Sequence, residues 1–87
     1  MELKLLKSDD RGKVYQADGF KVFYRKKETV SGDNADNPKE LIYVLHGKVK
    51  FTLQNSTRTV EAPWLMEIPE ATYHKIEAVT DIIFIVF

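Results

Sequence analysis

In Leu41-Ile42-Tyr43-Val44-Leu45-His46-Gly47-Lys48-Val49-Lys50-Phe51-Thr52-Leu53, two apolar-rich runs flank a His-Gly pair. Val49, Phe51 and Leu53 alternate with Lys48, Lys50 and Thr52, the period of a strand with one dry and one wet face. The short break at His46-Gly47 predicts a hairpin between Leu41–Leu45 and Val49–Leu53. Outward from it, the same punctuation recurs. Turn residues delimit strands over Glu2–Lys7, Lys13–Gln16, Phe20–Lys26, Thr57–Glu61, Trp64–Ile68, Tyr73–Val79 and Asp81–Phe87. Ser31 to Pro38 is left as one long irregular stretch. No window shows the helical period, so nine short strands predict an all-β sandwich or barrel of two antiparallel sheets.

Length and charge narrow the function classes. Eighty-seven residues predict a single domain over 1–87 with one thin core. Thirteen Lys plus Arg balance thirteen Asp plus Glu, which argues against a general nucleic-acid surface. The absence of cysteine rules out a disulfide scaffold and a thiolate nucleophile. The N-terminus shows no signal-peptide pattern and no apolar run approaches a membrane span, so the expected location is cytoplasmic, without a membrane partner. Ile82-Ile83-Phe84-Ile85-Val86-Phe87 is apolar on both faces. Such a strand needs cover on each side, from the second sheet and from another subunit, so a homodimer is expected.

Chemistry on such a scaffold requires a polar group with inward parity. His74 shares parity with Ile76 and Ala78, whereas Tyr73, Lys75 and Glu77 point the other way. A histidine there serves either as a hydrogen-bonded core residue or as a metal ligand. Glu40 shares the parity of Ile42 and Val44, although both faces of that strand are apolar. Tyr43 and Trp64 are candidates for a ligand pocket, or for core and dimer contacts. His46 reads as an exposed turn residue, and Arg25-Lys26-Lys27 as a solvated basic run balanced by Glu28.

Glu40-Leu41-Ile42-Tyr43-Val44-Leu45-His46-Gly47, with six residues between Glu40 and Gly47, resembles the first conserved motif of the cupin superfamily. Pro69-Glu70-Ala71-Thr72-Tyr73-His74 is similar to the second, with Ala71 where glycine is usual. The resemblance implies a small jelly-roll β-barrel open at one end, with His74 and Glu40 near its mouth. Carried over by position, the metal ligands of metal-binding cupins would be Asn34, Asp36, Glu40 and His74. The motif's two histidines are thus replaced by Asn34 and Asp36, and its leading glycine by Glu28. An oxygen-rich set of this kind suits Mn or Fe, with Ni or Zn as other candidates. Ser31 to Pro38 is equally what a turn looks like, so Asn34 and Asp36 are read either as ligands or as loop residues.

Two expectations follow from the resemblance. The first is a non-catalytic or degenerate cupin that binds a small molecule in the barrel. The second is a metal-dependent enzyme of dioxygenase or isomerase type, using Asp36, Glu40 and His74. With two motif histidines absent, the first is preferred.

Overall fold

Alternation becomes ten strands in the computed structural model, which describes every residue from Met1 to Phe87. They are β1 (Lys4–Asp9), β2 (Gly12–Ala17), β3 (Phe20–Arg25), β4 (Val30–Asn34), β5 (Glu40–His46), β6 (Lys48–Leu53), β7 (Ser56–Glu61), β8 (Trp64–Ile68), β9 (His74–Ala78) and β10 (Ile82–Val86). A six-stranded sheet has the order β1-β2-β3-β10-β5-β8, and a four-stranded sheet the order β4-β9-β6-β7. All pairings are antiparallel. β3 lies beside β10, and β4 beside β9, so the sheets are closed by partners distant in sequence, as in a jelly roll.

The inner faces hold the core. Eleven buried residues form one cluster, from Ile42, Val44, Met66, Ile68, Ile82 and Phe84 on the large sheet to Val49, Phe51, Val60, Ile76 and Ala78 on the small one. Phe23 stacks flat on Phe84, with ring centroids 4.8 Å apart. Each large side chain withdrawn from water in this way contributes about 1.5–3 kcal/mol. The parity assigned to His74, Ile76 and Ala78 holds, since all three are buried.

Three local readings need correction. Leu41–Leu45 and Val49–Leu53 do not form a hairpin: β5 pairs with β10 and β8, and β6 with β9 and β7. At Gly47 the chain passes from one sheet to the other. Gly47 has φ +92°, and a Cβ there would lie 2.3 Å from the Asp81 carbonyl oxygen, so the crossing needs glycine. Second, the stretch Ser31 to Pro38 is not wholly irregular. Its first part lies in β4, a largely exposed edge strand whose polar composition hid it; its ladder to β9 supplies the order. Third, Arg25 is not solvated but 6% exposed, because the inward parity of Phe23 carries it between the sheets.

Hydrogen bonds pin the loops at one end. Asn37 Nδ2 donates to the Pro38 and Pro69 carbonyls (2.9 and 2.8 Å), and its Oδ1 accepts the Thr72 N–H. This buried amide ties the β4–β5 loop to the β8–β9 loop. At the other end, Lys27 N–H donates to Asp81 Oδ1 (2.9 Å), and the Arg11 guanidinium donates to the Val30 carbonyl. No helix is long and apolar enough to cross a membrane.

Candidate functional site

His74 opens β9 on the inner face of the small sheet, opposite Asn34 on β4 and Leu53 on β6. Its Nδ1 lies 3.0 Å from the Thr72 carbonyl. A carbonyl only accepts, so Nδ1 carries a proton and donates it to Thr72. Gly32 packs against the ring, where an added Cβ would come within 3.0 Å of Nε2. Glu40 pairs with Ile68 on the large sheet and shares the inner face with Ile42.

The remaining carried-over ligands turn elsewhere. Asn34 Nδ2 donates to the Gly32 carbonyl (3.2 Å), and its Oδ1 accepts the Asp36 N–H (3.1 Å). Both ends of the amide are engaged in the local turn, and Asn34 and Asp36 are exposed. No three His, Cys, Asp or Glu side chains come together in a group able to hold a metal ion. Asn34, Asp36, Glu40 and His74 therefore do not fit the divalent ion that the resemblance implied. Tyr43 and Trp64 are also separated. Tyr43 pairs with Leu65 and Trp64 with Val44, so the two aromatic rings lie on opposite faces of the sheet. Trp64 is instead roofed by the Arg58 guanidinium, 4.8 Å from its ring centroid.

The two principal cavities meet at a residue read from sequence as a plain turn position. His46 lines both. The larger, about 610 Å³, is a groove at one end of the large sheet. Register explains its floor: Ser8, Lys13, Tyr24, Ile83 and His46 are successive partners across β1, β2, β3, β10 and β5. Tyr15 meets Tyr24 edge-on at 5.7 Å and extends the wall. Lys26, Asp9, Asp81 and Arg25 complete the rim.

Charge on this rim is uneven. Asp9 accepts the Arg11 N–H and pairs with Lys7, which hold its carboxyl below the ordinary value, and Asp81 accepts the Lys27 N–H. Lys13 and Lys26 enter no ion pair. Arg25 keeps Nε and Nη1 buried without acceptors. Burial lowers the pKa of its guanidinium, nearby Arg11 pushes the same way, and Asp9 opposes both. The only sequence signal for this groove was the place of His46 beside the motif glycine Gly47.

No family model and no curated protein matches the sequence. Solved structures do match. A cupin-2 domain from Rhodospirillum rubrum superimposes with a TM-score of 0.77 at 15% identity, covering 97% of this chain and 67% of that one. An RmlC-like cupin from Shewanella frigidimarina gives 0.72 at 16% identity, covering 77% and 60%. The fold is that of the cupins. The capsular polysaccharide assembling protein CapF from Staphylococcus aureus gives 0.75 at 20% identity, covering 99% of this chain but 28% of CapF. The chain thus spans less than two-thirds of some of the solved structures it matches. Glu28 and Ala71, the two positions where the motif resemblance would place glycine, have φ +71° and +52°.

Proposed function

We propose that this cupin-fold chain is a non-catalytic, cytoplasmic module that binds a small molecule, and that the groove beside His46 is its site. The groove itself carries the proposal: about 610 Å³ bounded by two phenols, a hydroxyl and unpaired ammonium groups. Small-molecule sites combine apolar walls with a few placed polar groups in this way. Lys13 and Lys26 favour an anionic group on the ligand, and the Tyr15–Tyr24 pair favours a flat apolar body beside it.

Thermal-shift and chemical-shift titration with aromatic carboxylates, each against its neutral amide, tests this. The carboxylates are expected to bind and the amides to bind at least about tenfold more weakly, a difference of about 1.4 kcal/mol. Lys13→Gln should narrow that gap. Equal binding of acid and amide, or none of either, would overturn the ligand class. The metal-dependent dioxygenase or isomerase expectation needs a donor set these residues do not form. Stoichiometric Mn or Fe that is lost on His74→Ala would reverse that judgement.

A further inference from the structure

We infer that Arg25 receives the anionic group of the groove's ligand, and that this group is an oxyanion able to meet a guanidinium with two oxygens. The inference deepens the reading of the groove as a small-molecule site and rests on it. Arg25 ends β3 and lines the groove together with Asp9, Gly12 and Lys26. It is 6% exposed, makes no ion pair, and keeps Nε and Nη1 enclosed without any acceptor.

Nothing in the chain meets this demand. The Phe23 ring lies 5.4 Å from the guanidinium carbon, but an aromatic face accepts none of the N–H bonds in the guanidinium plane. Asp9 is aligned with Arg25 through Gly12 in the β1–β2–β3 register. Its oxygens are engaged elsewhere: Oδ1 accepts the Arg11 N–H at 2.9 Å, and Oδ2 faces Lys7 Nζ at 3.5 Å. Asp81 Oδ1 accepts the Lys27 N–H.

A guanidinium stays charged, so enclosing it without acceptors destabilises the free chain. An oxyanion removes that deficit, because its two oxygens match two parallel N–H groups. Lys13 and Lys26 are exposed, and a hydrated ammonium attracts an anion without fixing its geometry. They draw the anion in, and Arg25 selects it. Turning the guanidinium into the groove breaks no hydrogen bond of Nε or Nη1, and Gly12, its partner across the ladder, presents no side chain to obstruct it.

Two readouts separate this role from a structural one. Arg25→Met removes an unpaired buried charge, so Tm should rise by at least about 4 °C. The same variant should lose at least about tenfold in benzoate affinity and bind benzoate no better than benzamide. Arg25→Lys keeps the charge without the fork, and its affinity should fall between the two. In ¹H–¹⁵N spectra, the Nε–H resonance missing from Arg25→Met should shift with benzoate or inorganic phosphate and not with benzamide.

A lower Tm for Arg25→Met, or an Arg25 Nε–H resonance that ignores both anions, would overturn the inference. Wild-type affinity in Arg25→Lys would overturn the two-oxygen geometry. A preference for benzoate over benzamide that survives Arg25→Met would overturn the role of Arg25 and keep the groove as the site. A response to phosphate with no preference for benzoate over benzamide would keep Arg25 as an oxyanion site and overturn the aromatic ligand proposed for the groove.

Discussion

Asn34 stands directly opposite His74 across the β4–β9 ladder, at the position where a metal-binding cupin would place a histidine. The amide of Asn34 is engaged with Gly32 and Asp36. His74 is therefore a core residue held by Thr72. His74→Ala is expected to leave metal content unchanged in elemental analysis. It should lower stability by about 1–3 kcal/mol, because the Thr72 carbonyl loses its partner inside the sandwich. A change in metal content without a change in stability would contradict this.

Glu28 and Ala71 hold left-handed backbone without being glycine. That conformation costs an L-residue roughly 1–2 kcal/mol, offset by about 0.4–1 kcal/mol of extra unfolded-state entropy when glycine replaces it. Glu28→Gly and Ala71→Gly should each stabilise the protein by about 0.5–1 kcal/mol. At about 4–8 °C per kcal/mol for a domain of this size, each should raise Tm by several degrees. A fall in Tm would show that the side chains do more than tolerate the turn.

Gly47 gives the opposite result. Its Cβ position is enclosed by the Asp81 carbonyl, Thr80 Oγ1 and Ile82 Cγ2 at 2.3–2.8 Å. Gly47→Ala must push backbone apart where the chain changes sheet, and should destabilise by about 2–4 kcal/mol in denaturant titration. A loss below about 1 kcal/mol would mean that the crossing is plastic.

Tyr73 donates a hydrogen bond to Asp33 at 2.5 Å, and this bond raises the phenol pKa above its ordinary value. A raised folded-state value means the native chain holds that proton more tightly than the unfolded chain. The contribution is therefore fully present below the ordinary phenol pKa of 10.0 and is lost as pH rises through the higher folded value. In an alkaline spectrophotometric titration, Asp33→Asn should move the Tyr73 phenol down in pH, and Tyr73→Phe should remove its contribution. An unchanged titration curve for Asp33→Asn would rule out the carboxylate as the cause.

The legible parts were those governed by short-range periodicity. β8 runs over Trp64–Ile68 as expected, and inward parity identified His74, Ile76 and Ala78. β4 was illegible because Ser31, Gly32, Asp33 and Asn34 carry turn chemistry, and only the ladder to β9 makes them a strand. The groove was illegible for a related reason. Ser8, Lys13, Tyr24, Ile83 and His46 are far apart in sequence and meet only through four successive registers.

Alternation, turn residues and two spaced motifs were enough to specify an all-β cupin-like chain and the faces of two of its strands, Val49–Leu53 and His74–Ala78. A side chain's face depends on its immediate neighbours along the strand, and the sequence contains those directly. Which strands pair, where the chain crosses between sheets at Gly47, and which polar groups converge are set by contacts between distant residues. The cost of closing those loops is repaid only by the whole packed core, so the tertiary structure alone decided that His74 lacks metal partners and that the groove opens beside His46.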